Sequence, residues 1–277
     1  MKNQALLVGI NNYKSINDLQ GCINDVTNVR SVLKTFFGFT NNDIRVLTDD
    51  RATRENILTR FEKMVSESKA GDFLVFHYSG HGSQIRDRHN DELEDQMDEL
   101  ICPYDMNWDD GFITDDMLGS ILLKLKKGVN MEIILDCCHA GTGTRDFDYG
   151  RWKGTEYHGP VKNRLLLPPA DIECRYQGDE EVLKPKKSFR TDQRIILNHV
   201  LWAGCRDNQT SADALIGGNY NGAFSYYFCK HIRETNGKIS REDLCNRVMN
   251  SLSFNKYDQV PQLECDNKLK PKNIFGV

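Results

Sequence analysis

"FLVFHYSGHGSQ" spans Phe73–Gln84, and "EIILDCCHAGTG" spans Glu132–Gly143. Each opens as a short apolar run bounded by turn-forming residues, the pattern of a strand buried on both faces. Each then stops on reactive side chains: His81 in the first, Cys137, Cys138 and His139 in the second. A glycine-containing loop follows in both. In parallel sheets the carboxyl ends of strands gather on one edge, where α/β proteins carry their sites. A strand ending on His and another ending on Cys therefore predict one site built from both.

The rest of the chain supports that sheet. Ala5–Ile10 reads as a buried strand, and Asn24–Phe37 as an amphipathic helix with Val26, Val29, Val32, Leu33 and Phe36 near helical spacing. Ile44–Leu47 is a strand, Thr53–Glu67 a helix, and Asp72–Tyr78 a strand. Thr114 is placed to cap a helix over Asp115–Leu125, and Met131–Cys137 is a further strand. His199–Cys205 reads as a strand, Ala223–Glu234 and Arg241–Leu252 as helices, and Gln262–Cys265 as an edge strand. Alternation of this kind predicts an α/β fold with a mainly parallel central sheet and helices on both faces.

Residues 145–194 differ, holding four of the seven prolines, many charges and little periodicity. The expected organisation is one domain over 1–277. It has a large part (1–145), an exposed insert or linker (146–194) and a small part (195–277). With 277 residues, 39% of them hydrophobic, the chain can bury a substantial core. A net charge of −4 supplies no basic field for nucleic acid. No stretch is apolar enough for a signal peptide or a membrane span. Nine cysteines without a CxxC pair fit free thiols in a reducing cytoplasm.

A Cys thiolate is a strong nucleophile, and a nearby imidazole can activate it or protonate a leaving amine. His81 and Cys138 stand 57 residues apart (138 − 81). Spacing alone carries little weight, because most cysteines are buried small hydrophobes. On a strand, Asp136 and Cys138 share a face while Cys137 points to the other, which suits a packed core thiol at 137.

The chain resembles the metacaspases, the caspase-like cysteine peptidases, through several motifs in family order. They are "LLVGINNY", "LQGCINDV", "LTDDRATRENI", "GDFLVFHYSGHGSQ", "DELICPYD", "DCCHAG" and "AGCRDNQTSAD". The resemblance is to the type I form, without a prodomain here, and covers nearly everything except 146–194. It implies a caspase-like sandwich, with His81 and Cys138 as the catalytic pair. His139 has no assigned role. The oxyanion hole falls to the backbone N–H groups of Cys138 and Gly82, where Gly lets substrate approach closely. The resemblance also implies a pocket for Arg or Lys made by Cys22, Asp25, Ser79 and Asp136. Asp136 stands two residues before Cys138, about 6.5–7 Å along a strand, which is close to the reach of an arginine side chain. Two carboxylates there favour a cation and penalise an anion.

From His89 to Leu123 there are eleven Asp and Glu and no Lys or Arg. Such a run suits Ca²⁺, which takes six to eight oxygen ligands. Asp105, Asn107, Asp109 and Asp116 nearly follow an EF-hand count, but Asp110 occupies the glycine position and rules that motif out. The family resemblance instead implies calcium activation through Asp98, Asp115 and Asp116, with Asp146 a looser match. No organic cofactor is expected.

The leading expectation is a cytoplasmic, monomeric cysteine endopeptidase acting on protein or peptide substrates with Arg or Lys before the cut bond. It has no nucleic-acid or membrane partner. An inactive caspase-like binding or regulatory module is the alternative. A metal module using His77, His81, Cys137, Cys138 and His139 is a third reading. Self-cleavage is expected within 145–194, at one of Arg145, Arg151, Lys153, Lys162, Arg164, Arg175, Lys184, Lys186, Lys187, Arg190 or Arg194. The most basic stretch, Lys184–Arg194, is favoured, with a small fragment beginning near Ile195.

Overall fold

The structure is a computed structural model that describes residues 1–86, 97–138, 161–175, 199–206 and 209–276. In chain order the first elements are β1 (Asn3–Gly9), α1 (Cys22–Phe36), β2 (Ile44–Thr48), α2 (Arg54–Ser66), β3 (Phe73–Ser79), β4 (Gly82–Arg86) and β5 (Met97–Ile101). Next come β6 (Ile113–Thr114), α3 (Asp115–Leu122), β7 (Asn130–Asp136), β8 (Lys162–Asn163) and α4 (Ala170–Arg175). The last are β9 (Val200–Ala203), β10 (Ala212–Ile216), β11 (Asn219–Gly222), α5 (Ala223–Glu234), α6 (Arg241–Phe254) and β12 (Gln262–Glu264).

Six strands form the central sheet in the order β12-β9-β7-β3-β1-β2. Every pairing is parallel except β12 on β9, at the place where the sequence suggested an edge strand. Strands β3 and β7 are buried along nearly their whole length, as continuous apolar runs require in a doubly covered sheet. One face packs Val26, Val29 and Leu33 of α1 with Phe224, Phe228 and Ile232 of α5 and Leu244 and Val248 of α6. The other packs Ile57 and Phe61 of α2 with Ile121 and Leu122 of α3. The expected α/β sheet with helices on both faces is therefore the fold observed.

Local chemistry sets the helix starts. The Thr53 hydroxyl accepts from Asn56 N–H at 3.3 Å, and Thr114 accepts from Met117 N–H at 3.1 Å. Each satisfies an amide that a helix N-terminus leaves unpaired. Ser240 does the same for α6.

The two parts of the chain share one core. Glu132 of β7 is fully buried, accepting from Arg241 Nε at 2.8 Å and from Trp202 Nε1 at 2.7 Å. Removing one partner of a buried pair of this kind costs about 3–5 kcal/mol. The contact therefore binds α6 and β9 to the middle of the sheet.

Two small sheets lie beyond the sequence reading: β4-β5-β6 and β11-β10-β8. Their strands are two to five residues long. β5 reads "MDELI", in which buried Asp98 breaks any apolar alternation. The exposure expected across 146–194 does not hold at Arg164. Asn163 and Lys162 pair antiparallel with Ala212 and Asp213 of β10, and Arg164 has no exposed surface. The residues that draw this segment inward are described next.

Candidate active site

Three parallel strands end level with one another. Gly9 of β1 stands opposite Ser79 of β3, and Ser79 opposite Asp136 of β7. The first turn of α1 adds Cys22 and Asp25 to the same place. All four expected pocket residues, Cys22, Asp25, Ser79 and Asp136, are completely buried there.

What they surround is Arg164. Its Nη2 lies 2.7 Å from Asp25 Oδ2 and 3.3 Å from Asp213 Oδ1. Its Nη1 lies 3.2 Å from Asp136 Oδ1, and donates to Ser79 Oγ at 2.8 Å and to the Asp136 carbonyl at 2.9 Å. The planar guanidinium can meet several acceptors at once, which an ammonium cannot do in the same geometry. The acids are themselves fixed. Asp25 accepts from Gly222 N–H at 3.0 Å, and Asp213 from Gln20 N–H at 2.7 Å. Asp136 accepts from Ser211 Oγ at 2.6 Å and Ser225 N–H at 2.9 Å.

Burial raises the Asp25 carboxyl to about 7, while Arg164 pulls it down. Burial also raises the Cys22 thiol, so it serves as a neutral wall. Asp213 was not among the expected pocket residues. Its signal was the last letter of "AGCRDNQTSAD", which the sequence reading used only as a family motif. Gly222 closes one side: a Cβ there would lie 2.2 Å from Asp136 Oδ2 and 2.6 Å from Arg164 Nη1.

His81 follows β3 by two residues. Its amide donates to Tyr13 Oη at 2.8 Å, and its Nε2 lies 2.8 Å from the Asn17 carbonyl oxygen. A carbonyl can only accept, so Nε2 carries the proton in the neutral ring. Nδ1 is then the basic nitrogen; it forms no well-aligned hydrogen bond, although the Arg164 backbone lies close enough to favour the charged ring. Burial holds the imidazole below its usual value, with the Asn17 backbone contact opposing this. Asn17 was missed because a backbone carbonyl leaves no mark in a sequence. Tyr13 lay in the quoted "LLVGINNY" without a role.

Cys138 lies two residues past β7, and its Sγ receives the Ser211 N–H at 2.5 Å. Cys137 packs in the α2 and α3 core, where burial raises its thiol. The divergence of the two thiols matches strand parity.

The backbone of Arg164 completes the arrangement. Its N–H donates to the Ser211 carbonyl at 3.1 Å, and its carbonyl accepts from Gly82 N–H at 2.9 Å. Glycine at 82 has a steric reason beside the substrate approach that the sequence suggested. A Cβ there would lie 2.1 Å from the Cys138 carbonyl oxygen.

The comparisons with known proteins fit this geometry. The description "Metacaspase, peptidase C14 domain" matches residues 3–145. Metacaspase-1A of Aspergillus fumigatus is 34% identical over 99% of this chain and 71% of its own length. Metacaspase-1 of Ajellomyces capsulatus is 34% identical over 99% of this chain and 82% of its own.

The chain belongs to the metacaspase family.

Metacaspases are caspase-like cysteine peptidases, so the substrates of this chain are proteins or peptides. A crystal structure of a Geobacter sulfurreducens protein superimposes with a TM-score of 0.74 at 25% identity, covering 100% of this chain and 99% of that one. The caspase-like α/β fold is thus shared across the whole length.

The residues expected to bind calcium sit apart from the pocket. Asp98 is buried on β5, and Asp115 and Asp116 open α3, which packs on β5. Asp146 and His139 lie outside the described residues. Among the described residues no three His, Cys, Asp or Glu are grouped to hold a metal ion. They therefore do not by themselves supply the six or more oxygens that calcium takes. The five-residue metal module is likewise not assembled among them. No helix among the described residues is long and apolar enough to cross a membrane.

Proposed function

We propose that this metacaspase is an endopeptidase that cuts after Arg or Lys, with Cys138 as nucleophile and His81 as general base and acid. The observation that carries the reading is Arg164, seated on three carboxylates with its carbonyl on the Gly82 amide. The basic side chain and the carbonyl before the cut bond are both held by groups of the expected site, which supports attack at that carbonyl.

The steps follow from the groups present. The Cys138 thiol passes its proton to His81 Nδ1, and the sulfur adds to the carbonyl carbon of the basic residue. The negative oxygen is held by Gly82 N–H and, on the family pattern, by Cys138 N–H. One such donor is worth roughly 10²–10³ in rate. The C–N bond then breaks, and the departing amine takes the proton from His81. Water gives a proton to His81 and attacks the thioester, releasing a carboxylate and restoring the thiol.

On this reading the Arg164–Leu165 bond is the first substrate, and it blocks the pocket until it is cut. That moves the self-processing bond away from Lys184–Arg194, which lies outside the described residues. The small fragment would begin at Leu165 rather than near Ile195. Cutting leaves the core intact, because β7 and β9 stay paired and Glu132 still holds Arg241. Calcium stimulation through Asp98, Asp115 and Asp116 is a secondary part of the proposal, and no step above depends on it.

The test is activity on Arg-ending and Asp-ending fluorogenic peptides. Cys138→Ala and His81→Ala should be inactive with the fold retained, and Cys137→Ala largely active. Loss of turnover in Cys137→Ala but not in Cys138→Ala would assign the nucleophile to the other thiol. Faster turnover of Asp-ending peptides would overturn the pocket.

A further inference from the structure

The chain beyond Arg164 does not turn away from the site. Leu165 bridges Gly82 in parallel register. The Leu166 amide donates to the Gly82 carbonyl at 2.9 Å, and the Leu166 carbonyl accepts from Ser83 Oγ at 2.5 Å. Gly82 thus holds Arg164 through its N–H and Leu166 through its C=O, so the start of β4 works as one strand of a short ladder. The Leu166 side chain packs against the apolar cluster that contains Ile85, Leu100 and Ile101, while Leu167 is 70% exposed.

We propose that the start of β4 is a leaving-side subsite. It takes the two residues after the cut bond in extended form and selects a branched apolar side chain at the second. The occupant is a peptide substrate, in this chain residues 165–166 themselves. Main-chain bonds to Gly82 accept any sequence, as in other peptides that add to a sheet edge. Discrimination comes from the side chain that packs on the cluster. Ser83 is a positioning residue: its hydroxyl fixes the Leu166 carbonyl and therefore where that side chain points. This inference rests on the reading of Arg164 as the residue before the cut bond.

The experiment uses internally quenched peptides carrying Val-Lys-Asn-Arg-Leu-X, with X as Leu, Ala or Asp. It is paired with self-cleavage of full-length Leu166→Asp and Leu167→Asp chains. Removing the apolar burial of one Leu should lower kcat/KM for the X = Asp peptide about tenfold or more relative to X = Leu, with Ala between. Self-cleavage after Arg164 should slow by a similar factor in Leu166→Asp and stay within about twofold in Leu167→Asp, since an exposed side chain gives up no burial. Equal rates for the three peptides would overturn the subsite while leaving the Arg reading in place. No cleavage of any Arg peptide would overturn both. The peptide series does not depend on the variant chains folding.

Discussion

Gly82 and Arg164 are joined by a backbone hydrogen bond of 2.9 Å, donated by the amide that follows the histidine and accepted by the carbonyl that precedes Leu165. The same Arg164 carries its guanidinium into the acids at the strand tips. A residue held at its carbonyl and at its charged end has little freedom. The predictions below follow from that fixing.

Asp213 should matter as much as the pocket acids legible in the sequence. Asp213→Asn keeps the shape and removes a charge that lies 3.3 Å from the Arg164 guanidinium. Truncating one partner of a buried charged contact costs about 2–5 kcal/mol in binding. The expected outcome is a fall of roughly thirtyfold or more in kcat/KM for Arg peptides, with Cys138 still alkylated at its former rate. Steady-state kinetics beside iodoacetamide labelling measures both.

Gly222→Ala tests the pocket wall. The added methyl would overlap the space held by Asp136 Oδ2 and Arg164 Nη1. Asp136 cannot retreat, because Ser211 and Ser225 hold both its oxygens. Turnover of Arg and Lys peptides should fall together by about fivefold or more, the scale expected when overpacking costs about 1–3 kcal/mol. Unchanged KM and kcat would mean the wall is soft.

Sequence and structure meet at different depths. The six central strands and most helices were legible because burial on both faces writes long apolar runs, and because Thr53 and Thr114 mark helix starts chemically. His81, Cys138, Ser79 and Asp136 were legible through motifs at strand ends and Cys22 and Asp25 through the motif that opens α1, and the fold brings all of them to one edge. β4, β5, β6, β8, β10 and β11 were not, because polar residues such as Ser83, Asp98, Asp213 and Asn221 are buried in them and interrupt any apolar run. Arg164 stood among eleven basic candidates in a stretch without periodicity. What singles it out is its seat on Asp25, Asp136 and Asp213, residues drawn from three separate elements. Asn17 contributes only a carbonyl, which any residue supplies.

The pocket should also respond to pH. Burial raises Asp25 to about 7, so it takes up a proton as pH falls through neutrality and loses its charge toward a guanidinium. The raised value means that ionised Asp25 weighs against the folded state above about pH 7 and that protonation relieves this below. Substrate binding runs the other way: the value of about 7 holds with Arg164 seated and pulling it down, so an empty pocket holds Asp25 higher, and KM for Arg peptides should rise as pH falls toward 7, by about tenfold per pH unit at most, and level off below. In Asp25→Asn the KM should be high and flat across that range. A flat wild-type profile would mean that Asp25 stays ionised throughout.

Calcium acts, on this account, away from the chemistry. If Asp98, Asp115 and Asp116 contribute to a loose site, activity should rise at about 10⁻⁴–10⁻³ M calcium, the range of weak, flexible sites. Asp98→Asn should shift that range upward without altering the preference for Arg over Asp peptides. Full activity in excess EGTA would remove calcium from the account.

Mass spectrometry of the full-length chain after incubation reads the central claim directly. The proposal that Arg164 precedes the cut bond predicts two fragments, 1–164 and one beginning at Leu165, that stay associated on size exclusion. Cys138→Ala and Arg164→Ala should both remain whole at that bond. A first cut within 184–194, or an enzyme that turns over Arg peptides while the Arg164–Leu165 bond stays intact, would contradict it.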